Sequence, residues 1–94
     1  MFIIILTYLK PMSEVLNNLE AHIEYLDKYY ASGHFIASGR QEPRTGGVIL
    51  SRAKDKEEIQ KLILEDPFHI NGVAKYDIIE FEATKYAPGF EKYL

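Results

Sequence analysis

Phe2-Ile3-Ile4-Ile5-Leu6-Thr7-Tyr8-Leu9 is the longest apolar run in this chain, and Lys10-Pro11 stops it. Its β-branched and aromatic content predicts a strand, and it is far too short to span a membrane. Both side-chain parities are apolar: Phe2, Ile4, Leu6 and Tyr8 on one, Ile3, Ile5 and Leu9 on the other. A strand of this kind is stable only inside a sheet whose two faces are both covered. The run also lacks the basic residues before it and the small-residue cleavage site after it that a signal peptide needs.

The remaining elements follow from periodicity and punctuation. Ser13 is expected to cap a first helix, with Glu14 in its first turn. Val15, Leu16, Leu19, Ile23, Leu26 and Tyr30 recur at helical steps as its apolar stripe. Gly33 follows as a left-handed C-terminal cap. His34 to Arg40 reads as a second strand and Val48 to Arg52 as a third, paired antiparallel through a Pro43 to Gly47 loop. Asp55 caps a second helix carrying Ile59, Leu62 and Ile63, which Pro67 ends near Asp66. Ala74 to Glu82 reads as the last strand, with Tyr76, Ile78, Ile79 and Phe81.

The order βαββαβ is the ferredoxin-like split unit, an α+β fold with an antiparallel four-stranded sheet and two helices on one face. Ninety-four residues, 1–94, make one domain, since a chain of this size buries only about 60 to 65 % of its unfolded surface. Two helices cover one sheet face, yet the strands are apolar on both. The surplus face predicts a homodimer packed sheet against sheet.

Charge and composition narrow the function. A net charge of −3, with eleven scattered Lys and Arg, provides no basic stripe for nucleic acid or anionic lipid. Zero cysteines exclude disulfides, thiolate zinc sites and a Cys nucleophile, and fit a reducing, cytoplasmic setting. No nucleophile elbow, phosphate loop or dinucleotide fingerprint is present, so no cofactor is expected.

The chemistry rests on two residues. His22 stands three residues from Leu19 and four from Leu26, on the face that packs on the sheet. A lone His there is ordinarily a core residue satisfied by a backbone carbonyl; a proton-transfer role needs a second signal. Asp66 supplies part of one, because a carboxylate at a helix C-terminus meets the negative end of the dipole at a cost of about 0.3 to 1 kcal/mol. Either His22 compensates it, or Asp66 only takes N–H groups from the loop after Pro67.

An ordered set of features resembles the YciI-like (YCII-related) family: His22-Ile23-Glu24-Tyr25-Leu26, Gly33, the Ser38-Gly39 step, Gly46-Gly47, and Asp66-Pro67-Phe68 with a Gly soon after. The resemblance implies a ferredoxin-like dimer akin to dimeric α+β barrels such as muconolactone isomerases. It implies a catalytic His22 and Asp66, with Ser38 and Gly39 lining the cavity. Most relatives have no assigned reaction; one type removes chloride from a chlorinated hydroxyhydroquinone. Where the family often has Pro after the Gly of strand two, this chain has Arg40, so a shared substrate does not follow.

Arg40 and Arg44 are candidate anion-binding groups at the cavity mouth or else solvated loop cations. His34 and His69 lack the close spacing of a metal site, so none is expected. The tyrosines are expected to pack rather than act as acids. The tail from Thr84 to Leu94 is expected to fold over the partner or the cavity. The leading function is a cofactor-independent isomerase, lyase or dehydrohalogenase using His22 and Asp66 on a small cyclic or aromatic substrate. The alternatives are a non-catalytic dimeric small-molecule-binding or sensory module and an oligomerisation adaptor.

Overall fold

The computed structural model describes residues 1–94. In chain order the elements are β1 (Phe2–Tyr8), α1 (Met12–Ala31), β2 (Phe35–Arg40), β3 (Gly46–Ser51), α2 (Lys56–Leu64), α3 (Pro67–Ile70) and β4 (Ala74–Glu80), followed by a 3₁₀ turn at Phe90–Tyr93. The sheet is antiparallel in the order β2-β3-β1-β4. The doubly apolar β1 is thus central, paired on both edges, as its composition requires. This is the ferredoxin-like α+β fold. No helix is long and apolar enough to cross a membrane.

Alternation along β1 divides the two faces. Phe2, Ile4 and Leu6 are buried and meet Phe35, Ile49, Val15, Tyr25, Tyr29, Ile59, Leu62 and Ile63 in one core. Complete burial of a side chain such as Ile4 or Leu6 contributes roughly 1.5 to 3 kcal/mol. On the opposite face Ile3 stands between Leu50 and Ile79, and Ile5 lies beside Val48. Apolar residues in a continuous row there have no covering layer.

Several local features depart from expectation. Pro11, not Ser13, occupies the N-cap of α1, already extended at φ −60° and ψ 158°; its carbonyl accepts the Glu14 and Val15 N–H groups. The buried stripe of α1 is Val15, His22, Tyr25 and Tyr29, whereas Leu16 and Ile23 are 53 % and 47 % exposed and Tyr30 is also exposed. The amphipathic tyrosines rotate the packed face: Tyr25 goes inward because its hydroxyl finds the Leu62 carbonyl at 2.8 Å. Gly33 does adopt the left-handed cap, at φ +84°. The tail does not reach the His22 cavity. It lies near the end of α1 and the start of β2, where Arg52 donates to the Gly33 and Lys92 carbonyls.

A bulge at Ile36 shifts the register of β2 against β3. Phe35 opposes Ser51, but beyond the bulge it is Ser38 and Arg40 that oppose Ile49 and Gly47 on the helix-covered side. Without the extra residue the alternation would put Gly39 there instead.

Candidate active site

The main surprise lies at Asp66. It does not simply terminate α2, which ends at Leu64; it is the N-cap of the unexpected four-residue α3, with Pro67 at the first helical position. Its carboxylate Oδ1 accepts the Phe68 N–H at 3.0 Å and His22 Nδ1 at 2.8 Å. Oδ2 accepts the Tyr76 hydroxyl at 2.6 Å. Asp66 is completely buried, so three donors replace the water its charge would otherwise require. Asp66 thus takes an N–H of the turn after Pro67 and also meets His22, and it does so at the start of α3 rather than as a carboxylate facing the end of α2.

An ionised carboxylate only accepts, so the ring proton of neutral His22 sits on Nδ1. Nε2 makes no hydrogen bond within the protein. The Phe68 ring stacks on the imidazole at 4.0 Å between centroids and 3° between planes, fixing its orientation from one face. Thus α3 supplies both the hydrogen-bond acceptor and the stacking plate.

Tyr76, a residue whose sequence context predicts only packing, is part of this arrangement. Burial first, and the Asp66 charge second, push its hydroxyl well above the ordinary phenol range, so it stays a donor. Burial and the same charge also raise Tyr25. The β4 position of Tyr76 pairs with Leu6 on the helix-covered face, a placement that only the sheet register reveals.

A cavity of about 290 Å³ opens against His22. Leu19, His22, Ile23 and Leu26 of α1 form one wall, Leu6, Ser38, Gly47 and Ile49 of the sheet another, and Tyr8, Phe68, Gly39, Arg40, Arg44 and Val48 complete it. Five of the six residues singled out from sequence, His22, Ser38, Gly39, Arg40 and Arg44, line this space; Asp66 sits behind His22 rather than in the wall. The Ser38 hydroxyl is shared with Tyr30 at 2.6 Å. Arg40 extends towards Glu42, at 3.5 Å. His34 pairs with Ser32 and Glu58, and His69 packs on Tyr76, so neither joins His22. No three His, Asp or Glu side chains converge as metal ligands.

The family model of the YCII-related domain matches residues 1–82. The chain belongs to the YCII-related family. No curated protein matches the sequence. Among solved structures, it is similar to a 5-chloro-2-hydroxyhydroquinone dehydrochlorinase from Burkholderia phenoliruptrix AC1100, solved with 2,5-dihydroxybenzoquinone. The TM-score is 0.73 at 19 % identity, covering 87 % of this chain and 94 % of that one. At that identity the two share a fold. The same α+β architecture therefore stands behind this YCII-related chain and the dehydrochlorinase.

Proposed function

We propose that this YCII-related protein is a cofactor-independent acid–base enzyme acting on a small cyclic or aromatic substrate. The observation that carries the reading is the buried Asp66 carboxylate on His22 Nδ1, with the remaining edge of the ring unpartnered beside a cavity. In this reading Nε2 takes a proton from an acidic C–H or O–H of the bound ligand. Asp66 holds the ring in the Nδ1–H tautomer and faces the imidazolium that forms, a positioning role. The proton then returns to another atom of the substrate in an isomerisation. In a dehydrohalogenation the electrons freed by proton removal form a new π bond in the substrate as the carbon–halogen bond breaks, its electron pair leaves with the halide, and His22 releases the proton to solvent. Ser38, Gly39, Arg40 and Arg44 bound the ligand's space.

The solved dehydrochlorinase makes halogenated rings one substrate class to test. Turnover of cyclic lactones, dienols and halogenated phenols, with halide release followed directly, compares wild type with His22→Gln. Proton transfer by one placed His contributes about 10²- to 10⁴-fold, and the folded variant is expected to lose that much. Equal turnover in both proteins ends this reading. Ligand binding with no turnover across the panel favours a sensory module instead.

The reading includes a second copy on the open sheet face, where Ile3, Leu50 and Ile79 form an uncovered row. Light scattering at micromolar concentration tests it, and a monodisperse monomer is the result that rejects it. Absence of cysteine supports a cytoplasmic setting, checked by cell fractionation.

A further inference from the structure

Resting on the reading of this cavity as a ligand site, we propose that Arg44 is its specificity-determining residue and that the ligand is a planar oxyanion on a single ring, a carboxylate or a phenolate. Arg44 Nε is buried and has no hydrogen-bond partner anywhere in the protein, the one such side-chain atom in the structure. A buried N–H without an acceptor is unfavourable, and sites that retain one ordinarily reserve it for a ligand. Arg44 lies in the wall of the His22 cavity and makes no ion pair. Arg40, the other cation of the wall, is exposed and has Glu42 as its partner. No Asp or Glu lines the cavity, although the chain as a whole is acidic. Arg44 is therefore the one cation of this wall without an acidic partner, in a molecule of net charge −3.

The loop that carries Arg44 is held in place before any ligand arrives. Gln41 donates its backbone N–H to Gly46 at 2.9 Å and its side-chain amide to the Leu6 carbonyl at 3.1 Å. Thr45 accepts the Tyr8 N–H at 2.9 Å. Two residues after Arg44, the chain runs so close to β1 that a Cβ at Gly46 would stand 1.7 Å from the Leu6 carbonyl oxygen. A guanidinium on an anchored loop loses little freedom on binding, and its planar fork matches a carboxylate or phenolate. A volume of about 290 Å³ lies at the small end of ligand pockets, the size of one substituted ring. The oxyanion would sit at Arg44 with the rest of the ring towards His22.

Calorimetric titration of the full chain in its solution assembly, with benzoate, 4-hydroxybenzoate and neutral benzamide, tests this without turnover. A charge-assisted pair predicts that wild type prefers benzoate over benzamide by about 10- to 100-fold. Arg44→Gln should erase that preference and Arg44→Lys should keep part of it. Lys56→Gln, an equal charge change at an exposed α2 residue, should leave it intact. Wild type that does not discriminate, whether it binds both probes or neither, overturns the proposal, as does a preference that survives in folded Arg44→Gln. Should that variant not fold, the Arg44 Nε–H resonance of wild type decides: it shifts with benzoate and not with benzamide if the proposal holds, and a resonance unmoved by bound benzoate overturns it. His22→Gln should retain the anion preference, so loss of the catalytic reading alone leaves this result standing.

Discussion

Replacing Asp66 probes the fold and the site together, and two substitutions separate them. Asp66→Ala strands three donors at once: the buried His22 Nδ1 and Phe68 N–H, and the half-buried Tyr76 hydroxyl. At about 1 to 3 kcal/mol for each unsatisfied group, with partial relaxation, the loss should reach about 3 to 6 kcal/mol. That is a large share of the roughly 5 to 14 kcal/mol expected for a domain of this size. Asp66→Asn is different, because Oδ1 already accepts two N–H groups and only an oxygen can take its place without orphaning both. The amide oxygen should therefore stay at the Oδ1 position while the amide nitrogen donates to the Tyr76 hydroxyl, which turns from donor to acceptor. The cost should be about 1 to 2 kcal/mol, and the His22 ring proton should remain on Nδ1. Urea denaturation measures the first quantity and long-range ¹⁵N–¹H spectra of the ring the second. An Asp66→Ala change within about 0.5 kcal/mol of wild type, an ordinary surface effect, would refute the buried three-donor arrangement. A ring proton found on Nε2 in Asp66→Asn would refute the shared Oδ1.

Two further outcomes follow from the same geometry. The Tyr76 hydroxyl has a folded pKa raised by burial and then by the Asp66 charge, above its ordinary value of 10.0. Its contribution is therefore fully present below pH 10 and is lost as pH rises towards the folded value, while the unfolded chain releases that proton first. Tyr76→Phe should flatten the alkaline limb of stability against pH by up to about 1.4 kcal/mol per pH unit, read from urea melts; an unchanged slope would count against a protonated, buried phenol. Gly46→Ala brings a Cβ into the Leu6 backbone, which neither strand can yield without losing register. A loss of about 3 kcal/mol or more is expected, and a neutral thermal melt would contradict the close approach of β3 to β1.

How much of this was legible in the sequence depended on the range of the signal. β1, the β2–β3 pair and the Asp55 cap are written in local pattern, and all appear in the structure. Leu16, Ile23 and Tyr30 carry the spacing of a buried stripe and so predict the wrong phase for α1, whereas the choice of Tyr25 and Tyr29 for the core depends on hydrogen-bond partners in α2 and just beyond it. Asp66-Pro67 predicts the end of a helix, yet it is equally the N-cap and first residue of the next one. An Asp before Pro with an apolar residue directly after is a start signal as well as a stop. Tyr76 had no local signal at all; it comes to Asp66 through the pairing of β4 with β1.

The placement of the His22–Asp66 pair follows from that same short helix. A four-residue helix has too few internal hydrogen bonds to persist alone, so α3 exists because its first free N–H is taken by Asp66 and the buried Phe68 ring packs on His22 and Tyr8. The bonds that orient the imidazole are therefore also the bonds that hold α3 to α1. Mutating Phe68 to Leu keeps an apolar side chain of helical propensity but removes the stacking plate, and should release the ring before it unfolds the domain. The expected sign is broadened or averaged His22 ring resonances in a protein whose melt moves by only about 1 to 2 kcal/mol. A ring that stays as sharply oriented as in wild type would mean that the Asp66 hydrogen bond alone fixes the histidine.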